Sequence, residues 1–88
     1  MRQVEYSGQF KRDLKRLKKR AKDMYKIRGV MKLLIEGDDL PEILLDHPLK
    51  GNWKGCRDLH IQPDWILIYR LIGNLVRFER DVSHSDLF

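Results

Sequence analysis

The run Cys56-Arg57-Asp58-Leu59-His60-Ile61-Gln62-Pro63-Asp64-Trp65-Ile66-Leu67-Ile68-Tyr69-Arg70-Leu71-Ile72-Gly73-Asn74-Leu75-Val76-Arg77-Phe78-Glu79-Arg80-Asp81-Val82 decides the fold. It contains three segments rich in Ile, Leu, Val, Tyr, Trp and Phe: Cys56 to Ile61, Trp65 to Leu71 and Leu75 to Val82. Such residues favour extended backbone, and the connectors Gln62-Pro63-Asp64 and Ile72-Gly73-Asn74 are short enough to require hairpins. The spacing predicts a meander of three antiparallel strands.

Upstream the periodicity changes. Phe10, Leu14, Leu17 and Ala21 recur at helical spacing, and Met24, Ile27, Met31 and Leu34 repeat the pattern. Ser7 and Asp23 stand where N-caps belong, so the segment predicts a helical hairpin broken near residues 21 to 23 and ended by Gly37-Asp38-Asp39. Before it, Gln3-Val4-Glu5-Tyr6 alternates as a short strand. After it, Leu40 to Leu45 reads as one helical turn, with Pro41 at its first position, and His47 to Gly55 reads as loop. The expected architecture is α+β: an N-terminal strand plus the three-strand meander, packed against the helical hairpin as one domain spanning residues 1–88.

With 88 residues and a net charge of +5, the chain has room for one core. Its longest apolar run, Trp65 to Tyr69, is far too short to cross a membrane, and Met1 to Glu5 contains no signal-peptide apolar region. The expected setting is cytoplasmic and soluble, with no membrane partner. Cys56 is the one cysteine, so neither an intrachain disulfide nor a multi-cysteine zinc site is available. Residues 11–32 hold eleven Lys and Arg against Asp13 and Asp23, a local charge of +9 that leaves the remainder at −4. Cations this dense, Lys15, Arg16, Lys18 and Lys19 among them, form a face suited to a polyanion such as RNA or to an acidic protein.

The meander topology gathers chemistry at one end of the sheet. The turn holding Asp64 joins the first two strands of the meander, which sets His60, Asp64 and Trp65 together. The last strand returns there with Arg80 and His84. Imidazoles, a carboxylate and a guanidinium suit cleavage of a phosphodiester by the RNA's own 2′-hydroxyl. That reaction needs a base for the hydroxyl proton, an acid for the 5′-oxygen and a cation for the phosphorane. Histidine serves either proton role near neutral pH, and arginine holds phosphate with permanent charge. No metal or cofactor is expected. The histidines lie thirteen and twenty-four residues apart and match no paired-histidine zinc motif. Each residue also has a plainer reading: His47 as a surface loop residue, Arg80 as an ion-pair partner within Glu79-Arg80-Asp81, and Trp65 as core.

Three motifs then carry a resemblance: Asp46-His47-Pro48-Leu49-Lys50-Gly51-Asn52-Trp53, His60-Ile61-Gln62-Pro63-Asp64-Trp65-Ile66-Leu67-Ile68-Tyr69 and Ser83-His84-Ser85-Asp86-Leu87-Phe88. In this order and spacing they resemble the YafQ branch of the RelE/ParE toxin superfamily over nearly the whole chain. The resemblance implies a RelE-like fold and a type II toxin that acts as a ribosome-dependent, metal-independent endoribonuclease, cutting mRNA and stopping translation. Its implied partners are ribosomal RNA, mRNA and an acidic antitoxin of the ribbon-helix-helix type. By resemblance His84 is the general acid, Asp64 and His60 are candidates for the base or for orienting the 2′-hydroxyl, and Arg80 is the phosphate clamp. His47 is a further proton-transfer or phosphate contact, and Trp65 and Phe88 are packing or stacking groups around the mRNA. One departure stands out. Where the family commonly has a small or hydroxyl residue followed by glycine, this chain has Asp81-Val82, and Asp81 is placed to pair with Arg80 and weaken its phosphate contact. Two other functions fit parts of the sequence: a ParE-like gyrase inhibitor, which has no need of the histidine cluster, and a non-catalytic RNA-binding module built on the basic helices and two tryptophans.

Overall fold

A computed structural model describes residues 1–87, Leu87 by its backbone alone. Strand β1 (Gln3–Tyr6) passes into helix α1 (Gly8–Lys19) through Ser7, whose Oγ accepts the Phe10 N–H at 2.9 Å. This N-cap satisfies one of the backbone donors a helix start leaves free. After the turn at Arg20-Ala21-Lys22, Asp23 caps helix α2 (Met24–Glu36) by accepting from Tyr25 N–H at 3.0 Å. The helix stops at Gly37, whose φ of 76° is the left-handed conformation that only glycine adopts at little cost. The hairpin and both caps agree with the sequence pattern.

The meander forms as β3 (Arg57–Gln62), β4 (Trp65–Ile72) and β5 (Leu75–Ser83), all antiparallel. β1 joins the sheet beside β5 but runs parallel to it, so the sheet is mixed and the fold is α+β. The turn expected within Leu40 to Leu45 forms as a 3₁₀ turn, and His47 to Gly55, expected to be loop, is partly ordered. Single 3₁₀ turns occupy Glu42–Leu44 and Gly51–Trp53, and between them a two-residue strand β2 (His47–Pro48) pairs His47 with Asp58 and Pro48 with Arg57. Proline lacks the N–H a central strand would need, which confines such a pairing to an edge. The sheet order is β1-β5-β4-β3-β2. A short helix α3 (His84–Leu87) follows β5 directly.

Alternation along the strands divides the sheet into two faces. Leu59, Trp65, Leu67, Tyr69, Val76 and Phe78 pack with Phe10, Leu17, Ile27, Val30 and Leu34 of the helices into the main core. Cys56, Ile66, Ile68 and Val82 form a smaller cluster on the opposite face, flanked by Leu49 and Trp53. A bulge in β5 shifts the phase: Tyr69 pairs with Phe78 while Ile68 pairs with Arg80, which leaves Glu79 without a partner of its own. Arg80 and Val82 therefore share the small-cluster face, and Asp81 turns to the helices. No helix among the described residues is long and apolar enough to cross a membrane.

Candidate active site

The cross-strand register sets one row of residues on the face away from the helices: His47 of β2, Asp58 of β3, Ile68 of β4 and Arg80 of β5. His60 lies two positions beyond Asp58 on β3, opposite Ile66, and therefore on the same face. Beyond β5 the chain folds back, the His84 N–H donating to the Asp64 carbonyl at 3.0 Å. The outcome is a line of three near-parallel imidazoles. His47 and His60 have ring centroids 6.4 Å apart, and His60 and His84 are 6.3 Å apart. Asp64 sits exposed in the turn against which His84 docks.

Hydrogen bonds assign protons within this row. His60 Nδ1 lies 3.2 Å from the Pro63 carbonyl. A carbonyl only accepts, so Nδ1 carries the hydrogen, and whenever the ring is neutral its lone pair lies on Nε2. His47 Nδ1 likewise meets the Leu45 carbonyl at 2.8 Å. Its Nε2 stands 3.0 Å from Asp58 Oδ1. Asp58 is buried, and burial is the main cause that pushes its carboxyl above the ordinary range, while His47, His60 and His84 pull it back. The segment carrying His47 is anchored by Asp46, which accepts a forked pair of hydrogen bonds from Arg57 and another from the Tyr69 hydroxyl. Burial and that carboxylate together raise the Tyr69 phenol well above its usual value. Among the described residues no group of three or more His, Cys, Asp and Glu side chains is arranged to hold a metal ion.

Three expectations need correction. Trp65 has 1% of its surface exposed and packs in the helix-side core, so it is a packing group with no face free for a base. Its Nε1 donates to Asp81 Oδ1 at 2.6 Å. Asp81 thus does not pair with Arg80. That partner is Asp13 of α1, which is fully buried and accepts from Arg80 Nε at 2.8 Å, Arg80 Nη2 at 3.1 Å and the Asp81 N–H at 3.0 Å. Arg16 is likewise committed, its Nη2 lying 3.2 Å from Asp13 Oδ1, whereas Lys15, Lys18 and Lys19 are exposed. Phe88 lies outside the described residues.

Two contributors were missed in the sequence. Asp58 precedes His60 by two positions, and strand alternation alone places both on one face. Asp13 interrupts the apolar stripe between Phe10 and Leu17, and a charge in a buried stripe is the signal of a partner across the core.

A helical hairpin covers one face of a small mixed sheet and a row of three imidazoles lies on the other, which defines the chain as a compact α+β protein. A sequence profile described as the bacterial toxin of type II toxin–antitoxin system, YafQ, matches residues 2–88, and the chain belongs to that family. It is 53% identical to the mRNA interferase toxin YafQ of Escherichia coli K12 over 99% of this chain and 96% of that protein. The crystal structure of YafQ from E. coli BL21(DE3) superposes with a TM-score of 0.95 at 52% identity, covering 100% of this chain and 99% of the other. The toxin in the E. coli DinJ–YafQ complex superposes with a TM-score of 0.93 at 53% identity, covering 100% and 99%.

Proposed function

We propose that this chain is a type II toxin that cleaves mRNA on the ribosome, with the histidine row as its catalytic centre. The observation that carries this reading is the alignment of His47, His60 and His84 at about one ring spacing on the open face of the sheet. His60 presents a lone pair at Nε2 and is the group that takes the 2′-hydroxyl proton. The 2′-oxygen attacks phosphorus, the bond to the 5′-oxygen breaks, and His84 supplies the proton that oxygen needs. The products are a 2′,3′-cyclic phosphate and a free 5′-hydroxyl. Asp64, in the turn on which His84 docks, orients the hydroxyl. Arg80 supplies positive charge for the phosphorane, in competition with its bond to Asp13. The step draws on no metal ion or cofactor.

The exposed lysines of α1 dock on ribosomal RNA, and the same charge suits an acidic ribbon-helix-helix antitoxin as the inhibitory partner. The E. coli relative is found in complex with DinJ, which supports an antitoxin partner here. Both activities place the protein in the cytoplasm, acting as one domain. The test is induction of this chain in cells with and without its neighbouring gene, followed by mapping of mRNA 5′ ends. Growth arrest with new 5′-hydroxyl ends inside coding regions, relieved by the neighbour, is the expected result. Normal protein synthesis with disturbed DNA supercoiling would overturn it in favour of a gyrase inhibitor.

A further inference from the structure

Asp58 is the one group of the histidine row to which neither composition nor resemblance assigns a part. It is buried in β3, and Oδ1 has no well-aligned hydrogen-bond donor. The groups that face it are His47 from β2, His60 from its own strand, His84 from α3 and Asp46 from the segment ahead of β2. Of these, His47 makes the closest ion-pair contact, its Nε2 standing 3.0 Å from Oδ1.

The other nitrogen of that ring is already spoken for. His47 Nδ1 faces the Leu45 carbonyl at 2.8 Å and must carry a hydrogen. Nε2 lies at ion-pair distance from Asp58 Oδ1 without being aligned for a hydrogen bond, so the contact is one of charge: an imidazolium offsets the carboxylate across 3.0 Å, and a neutral ring does not. A buried carboxylate in turn requires a compensating charge, and the half-exposed imidazolium supplies it while keeping its own contact with water. His60 differs at this point. Its Nδ1 is engaged by the Pro63 carbonyl and its Nε2 meets no carboxylate.

We propose that Asp58 is a positioning residue whose buried carboxylate holds a proton on His47 Nε2, making His47 a fixed cation and leaving His60 as the ring that accepts the 2′-hydroxyl proton. The inference rests on the reading of this row as an RNA-cleavage centre. The division of labour is then set by what each Nε2 meets among the described residues: a carboxylate at ion-pair distance for His47, and none for His60.

The test reads the proton directly and the chemistry separately. Long-range ¹H–¹⁵N correlation on the labelled full chain at pH 7.5 should place both His47 nitrogens in the N–H range and His60 Nε2 in the lone-pair range. In Asp58→Asn, His47 Nε2 should move to the lone-pair range. In single-turnover cleavage on programmed ribosomes, His60→Gln should be slower than the parent by about 10²-fold or more. Adding Asp58→Asn to it should recover roughly tenfold, because His47 then offers a base of its own. A merely structural role for Asp58 predicts further loss. A lone-pair signal for His47 Nε2 in the parent, or a double variant no faster than His60→Gln alone, would overturn the proposal, and the parent spectrum decides it even where the variant does not fold. If the parent spectrum is as expected while no chain cleaves ribosome-bound RNA, the hold of Asp58 on His47 stands and the cleavage reading fails.

Discussion

Arg80 of β5 and Asp13 of α1 form a forked ion pair, Nε to Oδ2 at 2.8 Å and Nη2 to Oδ1 at 3.1 Å, and the same carboxylate accepts the Asp81 N–H at 3.0 Å. The last strand is thereby tied to the first helix four residues before His84. Removing one partner of a buried pair leaves the other charge without compensation, at a cost of about 3–5 kcal/mol. Asp13→Ala should lower stability by that order, measured as a shift in urea midpoint at unchanged slope. Lys11→Ala, on the exposed side of the same helix, should stay within about 0.5 kcal/mol.

Asp81 makes stability depend on pH. Burial pushes its carboxyl up to about 7, against the pull of the Trp65 hydrogen bond. The unfolded chain releases this proton near pH 4, so between about pH 4 and pH 7 the native state binds a proton that the unfolded state has lost. The associated stability is fully present below pH 4 and declines as pH rises through 7, by up to about 4 kcal/mol at about 1.4 kcal/mol per pKa unit. Urea titrations at pH 4.5, 6 and 7.5 should show this decline in the parent. In Asp81→Asn it should be largely absent.

The basic helix divides into structural and exposed charges. Lys15→Gln, Lys18→Gln and Lys19→Gln combined should flatten the salt dependence of ribosome binding by about 2 in log–log slope, at roughly 0.7 per lost contact with single-stranded phosphate. Arg16→Gln should act instead on stability, through its bond to Asp13. Equal slopes for the triple variant and the parent would remove these lysines from the ribosome contact.

Much of the fold was legible because its signals are local. Ser7 and Asp23 mark helix starts by their side-chain chemistry, and Pro63-Asp64 and Gly73-Asn74 mark the two hairpin turns. What stayed hidden depends on contacts distant in sequence. β2 is two residues long, has no periodicity, and exists because Asp46 is bound by Arg57 and Tyr69. The bulge at Glu79 inverts the face of everything after it: strict alternation from Phe78 would carry Arg80 into the core and Asp81 to the open face. Asp81 reads as a partner of Arg80 because the two are adjacent in the sequence, and it meets Trp65 because the bulge turns it toward the helices. Of the site, the meander alone brings His60 and His84 to one end, His47 arrives through β2, and Asp58 was readable from its spacing to His60.

The measurement that bears most directly on the histidine row is single-turnover cleavage on programmed ribosomes by His84→Ala beside the parent. The backbone hydrogen bond from residue 84 to the Asp64 carbonyl survives the truncation, so the fold, followed by circular dichroism, and ribosome affinity should be preserved. The rate should fall by about 10²–10⁴-fold, the loss expected when a positioned general acid is removed. A His84→Ala protein that folds, binds the ribosome and cleaves at the parent rate would contradict the account.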